Sequence, residues 1–207
     1  MRYSLLTLVL LFVSSCGTLS TDVLVDKDML LTHQSDMMEL EQAIAYCKGQ
    51  QWPSVCCNAY AHAVTLLPRT NKVATVVLDL DMTLMQGHQF NEWLLRKGVG
   101  YSAGRQYAYL TCNDLPAVPG ALDFIKKIQN LGYTVVFVTN RKPLLQKATR
   151  KNLIHLGLGD IPVLYRTAEK SKKGRLSSFP NVVMTIGDKD ADHLEGALHV
   201  YLPNPLY

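Results

Sequence analysis

Charged residues are sparse and dispersed in this 207-residue sequence, and long apolar runs are missing. Asp, Glu, Lys and Arg make up 18% of the chain, the formal net charge is +4, and no long basic stripe forms. The sequence therefore indicates no nucleic acid polymer as a partner, and nothing in it marks an obligate protein partner. No apolar run reaches the roughly 20 residues that span a bilayer. The hydrophobic fraction of 48% is typical of a globular protein of one domain.

Zinc-binding spacing is also absent, because the five cysteines form no Cys-x-x-Cys pair and no histidine cluster lies near them. Four of them, Cys47, Cys56, Cys57 and Cys112, allow three disulfide pairings, among which the sequence cannot choose. A structural disulfide from Cys47 to Cys56 or to Cys57 is compatible with the spacing. Adjacent Cys56 and Cys57 are not expected to bond to each other.

The first segment, residues 1–15, has the features of a signal peptide. An apolar run from Leu5 to Val13 ends in small residues just before Cys16, which resembles the bacterial lipobox. The alternative is ordinary cleavage nearby, with Cys16 incidental. We expect residues 16–35 to form a lipidated tether that holds the protein on a membrane through Cys16. Gly17 after the cysteine favours the outer membrane of a bacterial cell envelope, on its periplasmic or its surface face.

Beyond residue 36 the sequence pattern changes twice. Helical periodicity comes first, in two stretches between Asp36 and Leu67, and the second stretch is expected to bury Val55, Ala59, Ala63 and Leu66. Strands then alternate with helices at 121–131 and 144–156. The predicted strands are residues 73–78, 133–138, 161–165, 182–186 and 198–202. This alternation predicts an α/β fold with a doubly wound parallel sheet, whose ligands bind beyond the carboxyl ends of the strands.

Polar side chains follow three of these strands directly. They are Asp79 and Asp81 after the first strand, Thr139 and Asn140 after the second, and Asp188, Asp190 and Asp192 after the fourth. Two close carboxylates repel each other unless a cation or a shared proton relieves them, and a hard divalent ion such as Mg²⁺ suits oxygen ligands. A lysine-rich segment at 170–175 adds positive charge. Together these features predict a site for a phosphate and a metal ion.

The ordered motifs resemble the haloacid dehalogenase (HAD) superfamily, and they are especially similar to its bacterial class C acid phosphatases of subclass IIIB. The motifs are Asp79-Leu80-Asp81-Met82-Thr83, Pro119-Gly120-Ala121, Val138-Thr139-Asn140-Arg141, and Asp188 with Asp192 after Gly187. The resemblance covers about residues 40 to 202. It implies a HAD-like, Rossmannoid phosphatase domain at 36–207, with N-terminal helices and a small cap inserted at about 84–115.

The resemblance also implies a role for each matching residue. Asp79 corresponds to the nucleophile that forms an aspartyl-phosphate, and Asp81 to the general acid and base. The remaining catalytic positions correspond to Thr139 and Lys172, and the substrate-binding positions to Asn140, Thr83 and Lys173. The expected Mg²⁺ ligands are Asp79, the backbone carbonyl of Asp81 and Asp188, while Asp192 is expected to bind the ion through water or to position the lysine. The lysine assignment stays open among Lys172, Lys170 and Lys173.

One position departs from the class C pattern, because Met82 stands where its members usually carry Glu after the second aspartate. The change spares the nucleophile and the acid, but it leaves substrate preference and subclass open. Three further side chains, His88, Trp93 and Tyr101, fall where the family has a mobile flap. For these, packing is weighed against contact with the substrate, such as stacking on a nucleobase.

The sequence therefore predicts a Mg²⁺-dependent acid phosphatase that hydrolyses small phosphorylated metabolites, with nucleotides as a candidate class. One alternative is a lipid-anchored binding or adhesion protein on a degenerate HAD fold. The clustered acidic residues are evidence against this alternative, whereas Met82 favours it. The second alternative is a phosphotransferase that uses the same nucleophile.

Overall fold

The computed structural model describes residues 39–69, 73–168, 171–176, 179 and 181–206, apart from the side chain of Lys173. The predicted signal peptide, the tether with Cys16, and Lys170 lie outside the described residues. Within the described part of the chain, no helix is both long enough and apolar enough to cross a membrane.

Seven α-helices and five strands make up the described chain. The helices are α1 (residues 39–48), α2 (Gln51–Leu66), α3 (His88–Lys97), α4 (Ala103–Cys112), α5 (Ala121–Asn130), α6 (Gln146–His155) and α7 (Lys172–Leu176). The strands are β1 (Thr75–Leu78), β2 (Thr134–Val138), β3 (Val163–Leu164), β4 (Val182–Gly187) and β5 (Leu198–Tyr201). All five predicted strands are present, although β3 is shorter than expected.

The sheet is parallel throughout, with the strand order β3-β2-β1-β4-β5. Its central strand is β1, whose Thr75 pairs with Thr134 of β2 on one side and with Val182 of β4 on the other. The carboxyl ends of β1 and β4 therefore lie side by side at one edge of the sheet. This arrangement confirms the predicted doubly wound parallel sheet.

Alternate residues of the central strands face two separate cores. Val76 and Leu78 enter the larger core, where α2 and α5 also pack, and Val77 enters a smaller core that Leu176 of α7 helps to close. All four residues of β1 are buried. A strand that is covered on both faces needs an unbroken apolar run, and for this reason the sequence located β1 correctly.

The prediction of the buried face of α2 is wrong. The face that is buried is rotated slightly about the helix axis relative to the predicted one. Val55 and Leu66, expected in the core, are 40% and 37% exposed. The residues that are buried are Trp52, Cys56, Tyr60 and Ala63. The two large aromatic side chains set the orientation, because each buries much more apolar area than a valine. Their polar atoms are also paired, since Trp52 donates to the carbonyl of Pro203 (2.8 Å) and Tyr60 to that of Thr83 (2.6 Å).

The four cysteines among the described residues are free thiols, and the disulfide that the sequence allowed between Cys47 and Cys56 or Cys57 is not formed. Cys47 and Cys56 are buried, whereas Cys57 and Cys112 are exposed. Burial raises the pKa of Cys47 to about 11 and that of Cys56 to about 12. The two buried thiols are therefore held protonated and unreactive.

The segment between β1 and α5, predicted as a small cap, folds into α3 and α4. Trp93 packs in an aromatic cluster with Phe90 and Tyr109, at ring-centroid distances of 5.7–6.0 Å. His88 is buried at the start of α3, where its ring contacts Trp52 edge-on. His88 is therefore a buried packing residue and Trp93 a partly buried one, whereas Tyr101 is 65% exposed.

Candidate active site

The tight loop after β1 carries the acidic pair of the first motif. Asp79 continues the strand, because its N–H donates to the carbonyl of Ile186 in β4 (2.9 Å). The chain then turns back sharply, with Met82 in the left-handed conformation (φ 59°) and its N–H bonded to the carbonyl of Met85 (2.9 Å). A non-glycine residue rarely adopts this conformation, so the loop holds local strain. Asp79, Asp81 and Met82 all line one cavity as a result.

Lys172, the first residue of α7, bridges two buried carboxylates. Its Nζ lies 2.5 Å from Oδ1 of Asp79 and 2.5 Å from Oδ1 of Asp192. Burial alone would lower the pKa of Lys172, but the two carboxylates outweigh it and raise that pKa, so the ammonium stays charged. Lys172, one of the three lysines that the sequence left as candidates for the catalytic role, therefore contacts Asp79, the expected nucleophile, directly.

Asp79 has the environment of a reactive carboxylate. Burial raises its pKa to about 7, and the charges of Asp192 and Asp81 act in the same direction, against the opposing effect of Lys172. Such a shift is the response of a carboxyl group that is removed from water among like charges. A cation placed beside Asp79 would favour the ionised form.

Asp192 holds the loop after β4 in shape. Its Oδ2 accepts hydrogen bonds from the N–H groups of Asp188 and Lys189, each at 3.1 Å. A Cβ at Gly187 would collide with the side chain of Asp192, so only glycine allows this close approach. Asp190, by contrast, is exposed and accepts a hydrogen bond from Tyr201 (3.0 Å).

Asp79, Asp188 and Asp192 form an acidic cluster of suitable geometry for a cation. Each offers a carboxylate oxygen, and the three oxygens lie within 4.8 Å of one another. Burial raises the pKa of Asp188, with Asp192 adding to the effect. Such a set of hard oxygen donors, only partly neutralised by Lys172, fits a divalent cation of the magnesium or calcium class.

Arg141 clamps Asp81, a contact that the sequence did not predict. Its Nη2 lies 2.6 Å from Oδ1 of Asp81, and its Nε lies 3.0 Å from Oδ2. The guanidinium is buried, and its Nη1 also donates to Thr149 (3.0 Å). Burial tends to raise the pKa of Asp81, but Arg141 outweighs it and the pKa lies below its usual value. The Asp81 side chain keeps 39% of its surface exposed, on the cavity side.

Two predicted site residues, Thr83 and Thr139, do not line the cavity in this structure. Thr83 is fully buried, and its contact with substrate stays a prediction. Thr139 is fully buried as well, and its hydroxyl accepts the N–H of Arg141 (3.1 Å). In this structure it shapes the turn that leads to Arg141. Asn140 does line the cavity, and its Oδ1 accepts from Arg175 (3.1 Å).

The cavity has a volume of about 240 Å³ and a mixed lining. The polar residues that line it are Asp79, Asp81, Asn91, Gln106, Asn140, Arg141, Lys172, Asp188, Lys189, Asp192 and Asn204. The apolar and aromatic residues that line it are Met82, Phe90, Tyr101, Leu110, Leu115 and Leu206. Met82 is fixed in this lining, because its sulfur accepts the N–H of Gly87 (3.3 Å). A small molecule with a charged part and an apolar part matches these surroundings.

Comparisons with known proteins agree with this geometry. Vegetative storage protein 2 of Arabidopsis thaliana is 28% identical over 208 residues, an alignment that covers 90% of this chain and 76% of that protein. The class C acid phosphatase from Bacillus anthracis has a similar structure, with a TM-score of 0.72 at 21% identity, covering 83% of this chain and 86% of that one. A second structure of that enzyme, with tungstate bound, gives the same TM-score and coverage at 22% identity.

At these identities the structural likeness establishes the fold, which is that of the class C enzyme. The family assignment comes from the sequence, because the family model of the HAD superfamily, subfamily IIIB (acid phosphatase), matches residues 16–207. The chain therefore belongs to the HAD superfamily, subfamily IIIB, and is a phosphoric monoester hydrolase of the acid phosphatase type.

Proposed function

We propose that this protein hydrolyses small phosphomonoesters through an aspartyl-phosphate on Asp79, with Mg²⁺ as its cofactor. One observation carries the proposal: the carboxylates of Asp79, Asp188 and Asp192 converge within 4.8 Å beside the ammonium of Lys172. A phosphate dianion can approach an anionic nucleophile only where positive charge offsets their repulsion. Lys172 supplies one such charge, and the acidic cluster would bind the second.

The residues of the site suit a two-step reaction. An oxygen of Asp79 attacks phosphorus, the bond to the ester oxygen breaks, and Asp81 gives the leaving alcohol a proton, which it must first take up against the lowering of its pKa by Arg141. Asp81 then takes a proton from water, which attacks the acyl phosphate and releases phosphate from Asp79. Arg141 keeps the Asp81 carboxylate in place through its paired N–H groups. The groups that would hold Mg²⁺ are Asp79, Asp188, the Asp81 carbonyl and Asp192, and the bound ion would supply positive charge for the phosphoryl oxygens.

The cavity suits a small phosphomonoester whose alcohol part is uncharged and partly apolar. A volume of about 240 Å³ lies below the usual range for drug-sized ligands, so the site suits metabolites of modest size. Met82 brings an apolar thioether to the cavity lining, at the position where class C members usually carry a glutamate. Tyr101 stands exposed at the same cavity and offers a ring on which an aryl group or a nucleobase can stack.

Chelation tests the metal requirement. With p-nitrophenyl phosphate at acidic pH, EDTA is expected to lower turnover by about 100-fold or more, because the repulsion at Asp79 is then offset by Lys172 alone. Excess Mg²⁺ should restore the rate. Equal rates with EDTA and with Mg²⁺ would contradict the cofactor proposal.

Absence of turnover under both conditions would favour the alternative of a protein without catalytic activity, in line with the storage role named for the Arabidopsis relative. Transfer of phosphate to added alcohols would favour a phosphotransferase.

We also propose that Cys16 carries a lipid anchor and places the protein in a bacterial cell envelope. The support is the sequence order of apolar run, small residues and cysteine. In a bacterial expression host, the protein is expected to partition into the detergent phase of Triton X-114, since acyl chains add about 0.8 kcal/mol per buried methylene. Cys16→Ser should move it to the aqueous phase, whereas Cys112→Ser should not. A wild-type protein found only in the aqueous phase would contradict the anchor.

A further inference from the structure

The backbone of the segment that follows β5 is fixed to the rest of the fold at two points. The N–H of Leu202 donates to the carbonyl of Gly187 (2.9 Å), and the indole of Trp52 donates to the carbonyl of Pro203 (2.8 Å). The Oδ1 of Asn204 accepts the N–H of Leu206 (3.0 Å), which closes a local turn. Helix α2 and the loop after β4 therefore hold this segment against the cavity, which Asn204 and Leu206 both line.

The side chain of Asn204 reaches the acidic cluster. Its Nδ2 donates to Oδ2 of Asp188 at 2.5 Å. Asp188 is thereby held at two points, because its backbone N–H also donates to Asp192 (3.1 Å). The amide therefore engages one of the two carboxylate oxygens of Asp188.

An amide donor at this place has a clear electrostatic effect. Asp79, Asp188 and Asp192 repel one another, and Lys172 contacts only Asp79 and Asp192. Without Asn204, the carboxylate of Asp188 could turn away from its neighbours at little cost. An uncharged donor prevents this rotation without competing for the cluster as a second ammonium would. Residues that hydrogen-bond to metal ligands in this manner change metal affinity by about 10 to 100-fold when removed.

We infer that Asn204 is a positioning residue for the cation site, acting through Asp188. The inference rests on the proposed function, because it takes the acidic cluster to be the site of the divalent ion. It assigns to the segment after β5 a part in the chemistry, in addition to its packing against α2.

Binding of Mn²⁺, followed by electron paramagnetic resonance on the purified protein, tests the inference without a catalytic assay. Asn204→Ala is expected to weaken Mn²⁺ binding by about 10 to 100-fold. Asn204→Leu, which keeps the volume but not the donor, should weaken it equally. Asn113→Ala is the matched control, since Asn113 is an exposed asparagine that donates only to the carbonyl of Tyr109 at the end of α4. It should leave Mn²⁺ binding unchanged.

The dependence of turnover on Mg²⁺ gives a second measurement. In both Asn204 variants the Mg²⁺ concentration for half-maximal turnover should rise by the same factor as the Mn²⁺ dissociation constant, with kcat at saturating Mg²⁺ within about threefold of wild type. Unchanged Mn²⁺ affinity in Asn204→Leu would overturn the inference and leave the proposed function intact. A wild-type protein that binds no Mn²⁺ would overturn the inference together with the proposed metal site.

Discussion

Asp79→Asn is expected to lower the turnover of p-nitrophenyl phosphate by at least about four orders of magnitude. The amide has nearly the shape of the carboxylate, but its neutral oxygen is a poor nucleophile towards phosphorus. It still accepts a hydrogen bond from Lys172, which lies 2.5 Å from Oδ1 of Asp79. The variant should therefore fold, and the loss should fall on kcat. Steady-state kinetics with saturating Mg²⁺, combined with thermal unfolding, measures both quantities.

Asp160→Asn provides the matched control, because Asp160 is exposed on a loop far along the chain from the site residues of β1 and β4. It should keep wild-type turnover. Beryllofluoride binding, which mimics an acyl phosphate, should be detected in wild type and lost in Asp79→Asn. A variant at Asp79 that retains more than about a tenth of wild-type turnover would exclude Asp79 as the nucleophile.

Lys172→Ala should have the second largest effect, with kcat lowered by about 1,000-fold. The substitution leaves the buried carboxylates of Asp79 and Asp192 without their shared counter-charge. Removal of one partner from a buried ion pair costs about 3–5 kcal/mol of unfolding free energy, so stability should fall as well. Added Mg²⁺ should raise the unfolding free energy of the variant more than that of wild type, since the cation can replace part of the lost charge. Urea unfolding with and without Mg²⁺ measures this difference.

Lys170→Ala and Lys173→Ala are the controls for the lysine assignment, because the sequence left all three lysines open. Both are expected to keep kcat within a few-fold of wild type. Lys172→Arg should not restore activity, since the larger, planar guanidinium does not fit the place of a compact ammonium that lies 2.5 Å from both carboxylates. A larger loss of activity in Lys173→Ala than in Lys172→Ala would assign the role to Lys173 instead.

The sequence predicted the sheet well because each central strand is covered on two sides. Burial on both faces requires an unbroken run of apolar residues, and this leaves a signal that is independent of the rest of the fold. The carboxyl ends of β1 and β4 then placed Asp79 and Asp188 at the same edge of the sheet without any knowledge of side-chain geometry. The family resemblance added their roles as expectations.

Other features depend on contacts between distant segments and left no local signal. The buried face of α2 is set by Trp52 and Tyr60, whose partners lie at Pro203 and Thr83. The periodicity of small apolar residues gives no information about these partners. Asn204 follows β5 as one polar residue among prolines, and only the folded chain brings it to Asp188.

Arg141 and Thr139 illustrate a second reason why the sequence could not predict the whole site. Both stand in a recognised motif, yet the pattern does not say which of them faces the cavity. In the structure the guanidinium of Arg141 reaches Asp81, and the hydroxyl of Thr139 supports the turn between them. The choice depends on backbone direction over two residues after β2, which side-chain type alone does not determine.

The central position of β1 has a consequence for biosynthesis. During synthesis this strand appears before both of its neighbours, and β4 follows only after most of the chain has been made. Parallel pairing across so long a separation is slow, because loop closure must precede the gain from pairing. An unfinished chain therefore has Asp79 but neither Lys172 nor Asp188 beside it. The site is complete only once α7 and β4 are in place, late in synthesis.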